Sequence, residues 1–92
     1  MTVGEISSEE LASMLKRCGL ASPAPWKSLV ADRDNNVALN CIQTPEQLIG
    51  VLGGTPAEQD FIAHARNDVP RLIKEIQMLR VRLERIRRRT NE

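Results

Sequence analysis

Residues 68–89, DVPRLIKEIQMLRVRLERIRRR, carry the strongest periodic signal in the chain. Val69, Leu72, Ile76, Leu79, Leu83 and Ile86 recur at steps of 3, 4, 3, 4 and 3, an a/d seam sustained for almost three heptads. Asn67-Asp68 reads as a helix cap and Pro70 falls in the first turn, which predicts a helix over 68–90 and a rod of about 30 Å. In this register Glu75 and Arg82 occupy g positions, while Ile73, Arg80 and Arg87 occupy e positions. A parallel self-pair sets Glu75 against Arg80 of a second copy but Arg82 against Arg87, so it frays toward its C-terminus. Antiparallel pairing, or capture by an acidic partner, relieves part of that repulsion. The proximal seam is expected to pack on the chain's own body, leaving the distal half for a second copy or a partner.

The same segment ends in the one chemical constellation of the sequence. Arg80, Arg82, Arg85, Arg87, Arg88 and Arg89 place six guanidinium groups within ten residues, opposed there by Glu84 alone. Cations at a helix C-terminus favour the helix dipole, so a solvated terminus is one reading. An anion-binding strip is the other, because the arginine fork matches carboxylate and phosphate. The aromatics, Trp26 and Phe61, both lie outside the basic segment. No base-stacking platform is therefore expected, and nucleic-acid binding is reduced to nonspecific backbone contact.

Upstream, Ser7 stands three residues before Glu10, the spacing of a capping box, with Ile6 and Leu11 placed as a hydrophobic staple. A helix carrying Leu11, Met14, Leu15 and Cys18 on one face follows, with Gly19 as its expected left-handed stop. Ala21 to Pro25 cannot continue the helix and reads as a linker or a rigid corner. WKSLVA and VALNCI, separated by Asp32-Arg33-Asp34-Asn35-Asn36, read as a β-hairpin over 26–42. Thr44-Pro45-Glu46-Gln47 and Thr55-Pro56-Ala57-Glu58 each resemble a helix start, predicting two short helices within 45–66. The second should bury Phe61, Ile62 and Ala65.

The formal charge of +1 over 92 residues conceals an asymmetry. Residues 1–70 carry five basic and nine acidic side chains, a balance of −4, and residues 71–92 carry eight and three, a balance of +5. Glu5, Glu9, Glu10, Asp32 and Asp34 are candidates for an acidic face that mimics nucleic acid toward a basic groove. The apolar stretches are far shorter than the ~20 residues of a membrane span, and the first 25 positions lack a signal-peptide pattern. A cytoplasmic protein with no membrane association is expected. Cys18 and Cys41 are expected as reduced, small apolar residues. His64 is the single histidine, and with neither a close metal-ligand pair nor a nucleophile motif the reading is non-enzymatic, without metal or cofactor. His64 itself reads as a half-covered boundary residue.

Between residues 57 and 85, Asp60-Phe61-Ile62-Ala63, Ala65-Arg66, Asp68-Val69-Pro70 and Leu72-Ile73 resemble the C-terminal segment of small accessory proteins of bacteriophages and prophages, including the Ead-like early proteins. The match covers under a third of the chain, and the N-terminal helix has no counterpart in it. The resemblance implies a phage-like origin and a non-catalytic role. Several small phage proteins of this size occlude host machinery, including defence complexes, or sequester signalling nucleotides.

The expected fold is α+β and mainly α, a single domain over 1–92: an N-terminal helix within 1–20, a hairpin, two short helices and a long basic coiled-coil-like helix. The expected function is stoichiometric occlusion of a host protein or complex, as in anti-defence inhibition of the anti-CRISPR kind or signalling-nucleotide sequestration. Scaffolding through a homo-oligomer and nonspecific nucleic-acid binding are the alternatives.

Overall fold

The computed structural model describes residues 5–51 and 53–91. The molecule is mixed α+β and mainly helical, as its sequence pattern predicts, and elongated at 63 × 29 × 20 Å. Its first helix, α1, spans Ser8–Leu20. The capping box forms as spaced: Ser7 Oγ accepts from the Glu10 N–H at 3.0 Å, and Glu10 Oε1 accepts from the Ser7 N–H at 3.2 Å. Leu11 is buried, and Met14, Leu15 and Cys18 on the same face are half-buried. Gly19 is not the left-handed stop expected of it. The helix continues through Leu20 and ends where Ala21 turns extended (φ −80°, ψ 164°), just before the proline corner. Residues 1–4 of the expected N-terminal segment lie outside the described residues.

Three short strands follow: β1 Lys27–Leu29, β2 Cys41–Gln43 and β3 Leu48–Gly50. They form an antiparallel sheet with β2 at the centre. The expected hairpin is present as the β1–β2 pair, with Ser28 opposite Ile42, but Val37–Asn40 belongs to the loop. That loop is organised by Asp32, Asp34 and Asn36 of the expected turn and by Asn40, which was expected in the second strand. Asp34 Oδ2 accepts from the Val30 N–H at 2.7 Å, Asn40 Oδ1 accepts from the Ala31 N–H at 2.9 Å, and Asp32 and Asn36 adopt left-handed backbone.

The first of the two expected short helices does not exist among the described residues. Thr44 does behave as a cap locally, its Oγ1 accepting from the Glu46 and Gln47 N–H groups at 3.1 and 2.9 Å. The Thr44 N–H, however, donates to Gln47 O at 2.8 Å and closes a tight turn between β2 and β3. Ile49 then pairs with the buried Ile42 across the sheet. A seven-residue stretch interrupted by Gly50 and holding β-branched Ile49 and Val51 has too little helical propensity to resist that pairing. Leu52, the end of that expected helix, lies outside the described residues.

The second expected start is a true one. Thr55 and Glu58 form a reciprocal box, with Thr55 Oγ1 accepting from Glu58 N–H at 3.2 Å and Glu58 Oε2 accepting from Thr55 N–H at 2.9 Å. Gly53 and Gly54 precede it at φ 77° and 76°, and a Cβ on Gly54 would stand 2.8 Å from Glu58 Oε2. The helix that begins here, α2, runs without a break over Pro56–Asn91. The division at Asn67-Asp68 is thus also corrected: Pro70 lies inside the helix. Asn67 does not cap, because its amide is engaged elsewhere. Its Oδ1 accepts from the Trp26 N–H at 2.9 Å and its Nδ2 donates to Trp26 O at 3.1 Å. At 36 residues α2 is about 54 Å long, nearly the length of the molecule.

The body attaches along one side of this rod. Near its start, the buried Gln59 donates from Nε2 to Ser28 Oγ, Leu29 O and Cys41 O, each at 2.9 Å, tying α2 to both β1 and β2. Arg33 grips Asp60 in a two-pronged ion pair at 2.9 and 3.1 Å. Further along, Arg66 Nε donates to Ser22 O at 3.0 Å, and its guanidinium lies 6.0 Å from the centre of the Trp26 ring. Further still, Arg80 Nη2 donates to Ile6 O at 2.7 Å. With Ser22 beside Arg66 and Ile6 beside Arg80, α1 runs antiparallel to α2. The apolar core is small: Leu11, Val30, Ile42, Ala63 and Ile73.

Candidate binding surfaces on the long helix

The residues of α2 that touch the body include Gln59, Ala63, Arg66, Ile73 and Arg80, together with Asp60 and Asn67 one position further round the helix. Apart from Asp60 and Asn67, both at f, they fall on the e and b positions of the heptad frame, about 100° around the helix from the middle of the a/d seam. This overturns the expected packing of the proximal seam. Ile73 is 3% exposed, whereas its neighbour Leu72, a seam residue, is 60% exposed. The seam stays open along its length: Val69, Leu79, Leu83 and Ile86 are exposed, and Ile76 is half-buried. Phe61 and Ile62, expected inside, are exposed as well. The choice of face follows from hydrogen bonding. The short strands and the corner present Leu29 O, Cys41 O, Ser22 O and both main-chain groups of Trp26, and a polar stripe of α2 supplies each of them with a hydrogen-bond partner. Ala63, small enough for the sheet to approach closely, completes that stripe.

All six arginines of the terminal run are exposed, but they are not equivalent. Arg80 is held against the backbone at the head of α1, and Arg88 lies 3.7 Å from Glu84 one turn away. Arg82, Arg85, Arg87 and Arg89 have no ion-pair or hydrogen-bond partner among the described residues. Arg82, Arg85 and Arg89 step by 3 and 4 along the g/c edge of the seam, on the side away from the body. Earlier on the same edge stand Asp68 and Glu75, which with Arg71 and Leu72 line a shallow surface groove. The edge thus changes from mixed and acidic to purely basic along the helix.

The five acidic candidates do not form one face. Glu9 and Glu10 lie in the first turn of α1, whose entry Arg80 fixes, while Asp32 and Asp34 sit in the loop that Arg33 ties to Asp60. Residues 60 and 80 are about 30 Å apart along α2. Glu10 is also engaged in its capping box, and Asp34 in its turn. Glu5 is exposed near the head of α1.

Ionisation supports the loop's attachment. Hydrogen bonding to Arg33, then to Ser28, holds the Asp60 carboxyl below the usual carboxylate range, and the Val30 N–H chiefly does the same for Asp34. Carboxylates depressed on folding stabilise the fold above their unfolded pKa of about 4 and lose that contribution as pH falls through the folded value. Acidification should therefore release the β1–β2 loop from α2 before the helices melt. Amide protection factors of residues 30–36, taken relative to the intrinsic exchange rate at each pH, should fall as pH drops from 6 to 3, and Asp60→Asn should weaken that pH dependence.

A surface cavity of about 590 Å³ lies beyond the sheet, lined by Leu29, Val37, Leu39, Cys41, Leu48 and Val51. Its lining is apolar, and Asn40 there already holds the Ala31 N–H. Cys18 and Cys41 are free thiols, and His64 is exposed, not half-covered. Among the described residues, no three His, Cys, Asp or Glu side chains group as a metal site, and no helix is long and apolar enough to cross a membrane.

Gln59, Trp26, Arg66 and Asn67, the residues that decide which side of α2 is free, were not evident from periodicity. The available signal was polar: Gln59, Ala63, Arg66, Pro70 and Ile73 form a second 4-3-4-3 stripe beside the apolar one. No family model, curated protein or solved structure matches this chain.

Proposed function

We propose that this protein is a non-catalytic binding module of the phage accessory type, which acts by stoichiometric attachment to a host protein or complex and occludes it. The observation that carries the reading is the open face of α2, whose seam remains exposed although the body packs directly beside it. A contiguous apolar stripe flanked by unpaired charges is the composition of an interaction surface. The unpaired arginines Arg82, Arg85, Arg87 and Arg89 suit an acidic protein surface, which they meet through bidentate contacts. Anti-defence inhibition is the form of occlusion to which the phage-like resemblance points.

Replacing these four arginines with glutamine tests the reading. Helical circular dichroism should be unchanged, since all four are exposed, while capture of the partner from a bacterial lysate should fall at least tenfold, a loss of about 1.4 kcal/mol or more. Undiminished capture would overturn the role of the strip. The scaffold reading is favoured by the same open seam, and it predicts full partner capture by a variant that no longer oligomerises. Binding of duplex or single-stranded nucleic acid that falls steeply with salt would instead assign the arginines to phosphate contact.

A further inference from the structure

The seam and its charged edge together specify an occupant. We propose that a second copy of this chain covers the seam in antiparallel orientation, in the register that sets Val69 of each copy against Ile86 of the other. This pairing goes beyond partner binding, because it uses the seam and its g edge and leaves the other arginines outward.

In an antiparallel pair, a residues meet d residues and g residues face g residues. Setting Val69 against Ile86 also sets Leu72 against Leu83 and Ile76 against Leu79, so all six exposed or half-exposed seam residues are covered without a gap. The two helices then overlap over Val69–Ile86, about 26 Å. In the same register Glu75 of each copy faces Arg82 of the other, and Asp68 faces Arg89. Two-fold symmetry turns these into four attractive pairs. The groove lined by Asp68, Arg71, Leu72 and Glu75 is where the arginines of the second copy arrive.

Competing arrangements are worse. A parallel pair sets Arg82 against Arg87 twice and offers Asp68 only Ile73, which is already buried in its own body. Shifting the antiparallel register one heptad, so that Ile76 meets Leu72, sets Glu75 against Glu75. The body does not compete for the seam, since it occupies the e/b stripe. In the proposed pair, the two basic helix ends lie at opposite ends of the rod. Arg85, Arg87 and Arg88 remain outside the four pairs, giving a symmetric module with two identical cationic tips.

Charge exchange distinguishes this arrangement from every other. Sedimentation equilibrium of the intact protein over a concentration series should show a monomer–dimer equilibrium. Arg82→Glu and Glu75→Arg should each weaken it by about tenfold or more, because two attractions become two repulsions. The double variant Glu75→Arg/Arg82→Glu should restore dimerisation, as the exchange preserves both pairs. Arg82→Glu is decisive for orientation, since a parallel pair would tighten as the introduced carboxylate attracts Arg87 of the other copy in place of repulsion. Both positions are exposed or half-exposed, so circular dichroism should confirm an intact fold in each variant. A protein monomeric at all concentrations, a tightened Arg82→Glu dimer, or an oligomer indifferent to all three variants would overturn the proposal. Arg82 and Arg89 serve both readings, so Glu75→Arg, which weakens the dimer with all four arginines in place, separates them: partner capture by that variant tests occlusion independently of self-pairing.

Discussion

Gln59→Leu should lower the stability of this protein by about 2–4 kcal/mol, lowering its melting midpoint by roughly 10–20 °C, although leucine is close to the same size and more hydrophobic. Gln59 is 2% exposed, and the two N–H groups of its Nε2 are shared among three acceptors: Ser28 Oγ, Leu29 O and Cys41 O. Removing the donor takes the helix-side hydrogen bond from two main-chain carbonyls and sets them against apolar atoms, while the Ser28 hydroxyl keeps Asp60 as its partner. Each buried unsatisfied group costs about 1–3 kcal/mol, partly offset here by burying a leucine and by relaxation toward water. Small domains hold only about 5–10 kcal/mol in total, so the loss is a large fraction. Thermal melting of the variant at low concentration measures it. An unchanged midpoint would mean that the three-way tie does not attach the sheet to the helix.

The second large effect separates adjacent residues. Ile73→Ala should cost about 2–4 kcal/mol, while Leu72→Ala should cost under about 1 kcal/mol in the monomer. Ile73 is 3% exposed and belongs to the core with Leu11 and Ala63; Leu72 is 60% exposed. Denaturant titration at a concentration below any self-association gives both values. Equal losses would show that the body uses the seam after all. Repeating the titration at high concentration brings in the dimer: Leu72→Ala should then lose stability relative to wild type, because the seam is covered.

Much of the local structure was legible in the residues themselves. Ser7 with Glu10, and Thr55 with Glu58, start helices because a hydroxyl and a carboxylate at that spacing satisfy two otherwise orphaned N–H groups, whatever the rest of the chain does. Asp32, Asp34 and Asn36 make a turn for a similarly local reason. Thr44 shows where local reasoning ends. Its side chain makes the same first contacts as a helix cap, and the pairing of Ile49 with Ile42 converts the start of a helix into a hairpin turn. Asn67 shows the converse. A residue suited to begin a helix lies within one, because its amide is occupied by the main chain of Trp26.

The sequence by itself determined the α+β class, the helix starts, the seam from Val69 to Ile86 and the separation of an acidic body from a basic end. Each of these depends on neighbours within one or two turns of chain, or on charge alone. Only the tertiary structure decided that β3 exists, that 56–91 is one helix, and that the body docks beside the seam instead of on it. The first turns on the pairing of Ile49 with Ile42, and the others on distant partners: Leu29 O and Cys41 O for Gln59, Ser22 O for Arg66, and the Trp26 main chain for Asn67. Hydrophobic periodicity records which residues avoid water, but the buried main-chain groups of the sheet and corner required donors and acceptors, and they selected the polar stripe. The apolar stripe was thereby left exposed.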